Sequence, residues 1–228
     1  MSGVSDQPPG AHEGYAARVA RQIPGLHDLH RMAGLLLAER VPADGRVLVL
    51  GAGGGLELLA LARMQAGWRF VGVDPSDVML RQARDLLGDL AGRVTFHEGY
   101  IDDAPEGPFD GAVCLLTLHF LPEAERLATL RALADRLRKN APFVVMHHSV
   151  EDGAEGDAAL VRYVAFGQAE TDAAAAEASA KAFRERLPML TPEGDEGLLR
   201  QAGFGGVRGF YTAFSLRGWV CCRQGGAE

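Results

Sequence analysis

Residues 47–62 read VLVLGAGGGLELLALA. The four apolar residues from Val47 to Leu50 have the length and character of a short buried strand. Gly51, Gly53, Gly54 and Gly55 follow as a loop that almost any side chain would obstruct. Beyond Leu56, Leu58, Leu59 and Ala62 recur at helical spacing. Strand, glycine loop and helix in that order form the first half of a nucleotide-binding α/β unit. The glycines admit positive φ and let a ligand lie against the main chain, and the helix N-terminus offers free N–H groups.

Upstream, residues 1–12 are Pro/Gly/Ser-rich and read as a disordered tail. Residues 13–41 hold two helical segments split at Pro24-Gly25, the second with Leu29, Met32, Ala33, Leu36 and Leu37 on one face. They precede the first strand and are expected to cap the α/β unit. Downstream, WRFVGVDPS (68–76) is a strand that delivers Asp74 at its end, with Ser76 capping a helix over 77–87. A third strand at 93–97 leads into EGYIDD, and a fourth, over 109–116, into the loop TLHFLPE. A helix over 123–138 and a fifth strand at 142–147 complete the alternation, which predicts a parallel sheet covered on both faces. Residues 152–188 break the pattern with two alanine-rich helices, a second cap element. A helix opening at Thr191-Pro192 precedes two strands, 207–213 and 216–223, whose short turn makes them antiparallel. The expectation is one domain, residues 13–228, around a seven-stranded sheet.

The 228 residues are 47% hydrophobic and 23% charged with a formal charge of −7, and no Lys/Arg block stands out, so tight electrostatic binding of nucleic acid is not expected. Cys114, Cys221 and Cys222 match no metal-site spacing and read as reduced thiols, so no metal is expected. With no apolar signal core and no run near ~18 apolar residues, the expected location is the cytoplasm, with no membrane contact.

The glycine loop alone is a weak signal. A dinucleotide fingerprint needs glycine where Leu56 stands, and G-x-G-x-G is present instead. Asp74, 23 residues beyond Gly51, strengthens the reading, because a carboxylate there can accept from both hydroxyls of a ribose.

In these motifs the chain resembles the class I S-adenosylmethionine-dependent methyltransferases over roughly residues 45–223. LGAGGG resembles their first motif, VGVDPS the second, FDGAVCLL the fourth, and AGF…GFYTAF…GWVCC the last helix and hairpin. The resemblance implies a Rossmann-like sheet of order 3-2-1-4-5-7-6 with the last strand antiparallel, and S-adenosyl-L-methionine as cofactor. It implies that Gly51, Ala52 and Gly53, with Gly55, pass under the methionine portion. Asp74 would hold the ribose, Pro75 and Met79 would line the adenine, Tyr100 and Ile101 would frame it, and Leu115 would supply backbone near the sulfonium. Two positions depart from the family: Val49 stands where an acid is usual, with Glu57 as a possible substitute, and Tyr100 where Asp is frequent, with Asp102 as an alternative.

RQIPGLHDLH, LLTLHFL and the inserted helices are also similar to the bacterial enzymes that build the oxyacetic acid group on tRNA wobble uridine with a carboxylated cofactor. Here Leu26, Leu115 and Leu198 replace that group's tyrosine, asparagine and arginine, which argues against the carboxylated cofactor and against tRNA. His119, His147 and His148 follow the fourth and fifth strands, where ligand crevices open. His119 and His147 are the candidates for a general base, against the plainer reading of loop hydrogen bonding. Tyr15, Arg18, Tyr163 and Phe166 are weaker pocket candidates. The expected function is methyl transfer to a small-molecule O or N acceptor, the alternatives being a wobble-uridine-modifying enzyme or a non-catalytic S-adenosylmethionine-binding protein. An uncovered apolar face on the insertion makes a homodimer an expectation.

Overall fold

Seven segments of the sequence become the strands of a single sheet in the computed structural model, which describes residues 11–168 and 172–225. Two helices, α1 (Ala11–Gln22) and α2 (Leu26–Ala38), precede the first strand, so helix begins inside the expected tail, whose residues 1–10 lie outside the described residues. The alternation then runs β1 (Arg46–Leu50), α3 (Leu56–Met64), β2 (Arg69–Asp74), α4 (Asp77–Leu87), β3 (Val94–Glu98) and β4 (Gly111–Leu115). It continues through α5 (Glu123–Asp135) and β5 (Pro142–His148). The inserted helices are α6 (Ala154–Gly167) and α7 (Ala173–Arg186), followed by α8 (Pro192–Gln201), β6 (Phe204–Ala213) and β7 (Leu216–Arg223).

The sheet order is β3-β2-β1-β4-β5-β7-β6, as the resemblance implied. β1 to β5 pair parallel, and β7 is antiparallel to both of its neighbours. Successive residues of the central strands feed opposite faces, as strand geometry requires. Val47, Val49, Val113, Val144 and Met146 pack into one apolar layer with α2 and α3. Leu48, Leu50, Ala112, Cys114, Phe143 and Val145 pack into the other with residues of α5 and α8. Burial on both faces explains why these strands are continuous apolar runs.

Local chemistry sets the helix starts. Ser76 Oγ accepts from Met79 N at 3.3 Å, and Thr191 Oγ1 accepts from Gly194 N at 3.1 Å with Pro192 in the first turn. Several boundaries differ from expectation: β4 is shorter at both ends, and β5 runs on to His148. β6 begins at Phe204 and carries register shifts between Gly205 and Arg208 and between Gly209 and Tyr211. α5 ends at Asp135, and Arg93 lies outside β3. The Arg93 guanidinium instead donates to the carbonyls of Gln65 and Ala66, both at 2.8 Å, tying the end of α3 to the sheet edge.

The insertion buries its own apolar stripe. Leu160 and Ala180 form a small cluster with Val150, against which Val161, Val164 and Phe183 pack. The face that suggested a second copy is therefore turned inward. Among the described residues no helix is long and apolar enough to cross a membrane.

Candidate active site

A cavity of about 610 Å³ opens above the carboxyl ends of β1, β2 and β4, where ligands settle in open α/β sheets. Gly51, Ala52, Gly53, Gly55, Asp74, Pro75, Met79, Tyr100, Ile101 and Leu115 all line it, so these sequence candidates are brought together. The glycine loop turns through positive φ at Gly51 (76°), Gly53 (47°) and Gly55 (84°). At Gly51 the requirement is also steric, since a Cβ would fall on Thr117 Oγ1, with Thr117 Cβ 2.9 Å away. At Gly53 the nearest atom to an added Cβ would be 3.7 Å off, so the loop leaves room against its main chain for a ligand.

Asp74 does more than the sequence reading assigned. Its Oδ2 accepts from Gly53 N and its Oδ1 from Ser76 N, each at 2.9 Å, so the carboxylate closes the glycine loop as well as facing the cavity. Each oxygen keeps lone-pair capacity for a ligand hydroxyl.

Val49, at the position where an acid is usual, is fully buried in the layer under α2 and α3. The acid on the cavity wall is Glu57, in the first turn of α3. It is 8% exposed, and its Oε1 has no hydrogen-bond partner. Burial first, and the Asp74 carboxylate second, raise its pKa well above the usual carboxylate range. A buried carboxyl with no partner is costly, and such costs concentrate at ligand sites.

His119 and His147, the expected bases, do not line the cavity. Strand alternation turns His147 toward α8, where its Nε2 lies 3.2 Å from Asp195 Oδ1 and its ring centroid 5.6 Å from Trp219. His119 faces inward from the short 3-10 turn after β4, its ring centroid 4.9 Å from His148. Burial, then His148, His147 and Arg126 in turn, hold His119 down to about 2. His148 donates to or accepts from Ser215 Oγ through Nδ1 at 2.9 Å, and burial followed by His147 holds it down to about 3. β5 runs on through His147 and His148 and carries both inside the sheet, while the 3-10 turn folds His119 in against them. Of the residues replacing polar groups of the wobble-uridine enzymes, Leu26 and Leu115 line the cavity, while Leu198 is buried between α8 and the sheet.

The sequence reading missed several cavity residues, His30 and Thr117 among them. His30, one turn into α2 and 8% exposed, lines the wall with Leu26 and Val19. The signal was present, since residues 26 and 30 share a helix face. Among the described residues no Lys or Arg lines the cavity. Among the described residues, no three His, Cys, Asp or Glu are grouped to hold a metal. Burial raises the pKa of the Cys114 thiol, which lies inside the sheet.

Residues 47–140 match a family model described as a methyltransferase domain. The carboxy-S-adenosyl-L-methionine synthase of Chromohalobacter salexigens is 31% identical over 156 residues, 66% of this chain and 58% of that protein. The enzyme of the same name from Glaesserella parasuis is 30% identical over 132 residues, 56% of this chain. The chain thus spans little more than half the length of these relatives, 58% and 54%. Among solved structures, a putative O-methyltransferase from Nostoc punctiforme superposes with a TM-score of 0.65 at 18% identity, covering 97% of this chain and 63% of that one. Residues 47–140 thus match a methyltransferase domain, and the sheet order found here is the one that the resemblance to the class I S-adenosylmethionine-dependent methyltransferases implied.

Proposed function

We propose that this chain transfers a methyl group from S-adenosylmethionine to an oxygen or nitrogen of a small molecule. The observation that carries the reading is the pairing of Glu57 with the glycine loop in one cavity: a buried carboxyl without a partner beside a main chain open to a ligand. The cofactor's ammonium group would answer that carboxyl, replacing the acid absent at Val49. Asp74 would accept from the ribose hydroxyls, Pro75, Met79, Tyr100 and Ile101 would enclose the adenine, and Leu115 would flank the sulfur.

When bound, S-adenosylmethionine supplies an electrophilic methyl on a cationic sulfur. The task left to the protein is to align a nucleophile with it and keep water away. Val19, Leu26, Leu116, Phe120 and Leu121 give the cavity an apolar wall suited to both. An apolar wall without cations favours a small, weakly charged acceptor over a nucleic acid.

The names of the curated relatives favour a second reading, synthesis of a carboxylated cofactor. Against it, among the described residues the cavity wall offers no Lys or Arg to pair an added carboxylate. Mass spectrometry of the nucleoside product separates the two readings: S-adenosylhomocysteine marks methyl transfer, and a cofactor heavier by one carboxyl group marks the other. Calorimetric titration with S-adenosylhomocysteine tests the common premise, and no binding at millimolar ligand would remove it.

Two substitutions probe the assigned residues. Asp74→Ala is expected to weaken S-adenosylhomocysteine by about 1.5–3 kcal/mol, the worth of a hydrogen bond to a charged group. Unchanged affinity would take Asp74 out of the site. Glu57→Gln is expected to weaken the ligand while stabilising the free protein. A carboxyl whose folded pKa is raised contributes stability below its unfolded value, near 4.5, and loses it as pH rises through the folded value. The melting temperature of Glu57→Gln should therefore gain on the parent as pH climbs above 4.5. A parallel pair of stability curves across that range would mean that Glu57 is already compensated.

A further inference from the structure

His30 has no role in the reading above, yet it is held as firmly as Glu57. α2 is pressed onto α3 at Gly34, where an added Cβ would stand 2.8 Å from the Met64 side chain and 3.2 Å from Leu61. Leu29, Ala33 and Leu37 anchor the same helix in the core. His30 therefore sits on a rigid α2–α3 pair whose other member carries Glu57. It is buried to the same extent as Glu57, lines the same cavity and makes no hydrogen bond to the described protein. Burial first, and His27 second, hold its pKa down at about 4, so near neutrality the ring is uncharged and carries one N–H donor and one lone pair.

The amino-acid end of S-adenosylmethionine places an ammonium and a carboxylate on one carbon, and the inference that follows depends on that cofactor being the ligand. Glu57 suits the ammonium and repels the carboxylate, which needs a donor close by. Among the described residues the cavity wall has no Lys or Arg, and its only side-chain N–H belongs to His30. The hydroxyls are otherwise placed. Thr117 Oγ1 donates to Leu115 O at 3.1 Å. Tyr100 is 65% exposed on the segment after β3, and Thr129 lies on α5, which packs against that same segment. We propose that His30 donates a hydrogen bond to the carboxylate of the cofactor's methionine portion, so that His30 and Glu57 together grip its two charges. His30 is on this account a positioning residue, fixing the amino-acid end from which the reacting sulfur extends.

The test compares two ligands that differ only by the carboxylate, S-adenosylhomocysteine and its decarboxylated form, titrated into the full chain and its variants. His30→Ala is expected to weaken S-adenosylhomocysteine roughly 10- to 100-fold and to leave the decarboxylated ligand within about twofold of the parent. His30→Gln, which keeps an N–H donor on a side chain of comparable reach, should recover most of the loss and guards against a folding defect in the alanine variant. Equal weakening of both ligands by His30→Ala would overturn the proposal in favour of packing. Undiminished binding of S-adenosylhomocysteine with a lower kcat or a higher acceptor KM would overturn it in favour of contact with the acceptor. Failure of the parent chain to bind either ligand would instead remove the cofactor assignment itself, an outcome distinct from the other two.

Discussion

Arg126→Ala is expected to cost about 3–5 kcal/mol of folding stability, the usual penalty for removing one partner of a buried ion pair. Arg126 is fully buried and Asp195 is 2% exposed, with Nη1 donating to Oδ1 at 2.5 Å. The same guanidinium donates through Nη2 to Pro188 O at 2.8 Å and Leu121 O at 3.2 Å. It thereby joins α5, the loop after β4 that lines the cavity, the segment after α7, and α8. Without it the Asp195 carboxylate keeps only His147 and Ser149 near it in the low-dielectric interior. Burial alone would raise the Asp195 pKa, but His147, with Arg126 and Ser149, outweighs that and lowers it. A depressed carboxylate contributes stability above its unfolded value near 3.8 and loses it as pH falls through the folded value. For a chain of this size the loss corresponds to a fall in Tm of roughly 6–20 °C. Urea denaturation of Arg126→Ala measures it, and a change under about 1 kcal/mol would show the pair to be compensated by water. The double variant Arg126→Leu, Asp195→Leu should recover much of the deficit, since no unpaired charge remains.

Gly51→Ala is the substitution expected to harm the proposed cofactor site most. The residue has φ 76°, which costs an L residue about 1–2 kcal/mol. Its new Cβ would also collide with Thr117, whose Cβ and Cγ2 both lie 2.9 Å from the added atom. Thr117 cannot yield freely, because its hydroxyl is bonded to Leu115 O and it heads the 3-10 turn that leads to α5. The loop must shift, and Gly51 N and Ala52 N then lose their bonds to Val73 O at 2.8 and 3.0 Å. Affinity for S-adenosylhomocysteine should fall by at least about 100-fold, equivalent to some 2.7 kcal/mol. Adding Thr117→Ala should return only part of it, because the φ cost and one carbon clash remain. Full affinity in Gly51→Ala alone would mean that the loop is pliable and that its glycines are not required by the ligand.

The sheet was legible because each of its central strands is buried on both faces and therefore written as an apolar run, with glycine or acid at its end. Val47 to Leu50, Val71 to Asp74 and Phe143 to Met146 could be read with no knowledge of their partners. The hairpin was equally plain, its turn at Phe214-Ser215 standing between two runs rich in aromatic and β-branched residues. Strand order entered through resemblance, since no local property of a strand states which neighbour it will take. The boundaries that slipped, at Arg93, Asp135 and Phe204, lie where a guanidinium or a bulge, and not periodicity, ends the element.

For the site, sequence determined the loop, the carboxylate at the end of the second strand and the residues set around them, because these lie within one chain-local unit whose spacing fixes their geometry. It could name Glu57 but could not say that its oxygen lacks a partner. It named histidines at the ends of strands and could not tell into which face each would turn. Only the packing of α2 on α3, of α8 on α5 and β6, and of the 3-10 turn against β5 settled that His119 and His147 point inward and His30 faces the cavity. Burial and pairing depend on contacts between residues far apart in the chain, and those contacts exist only once the fold has closed.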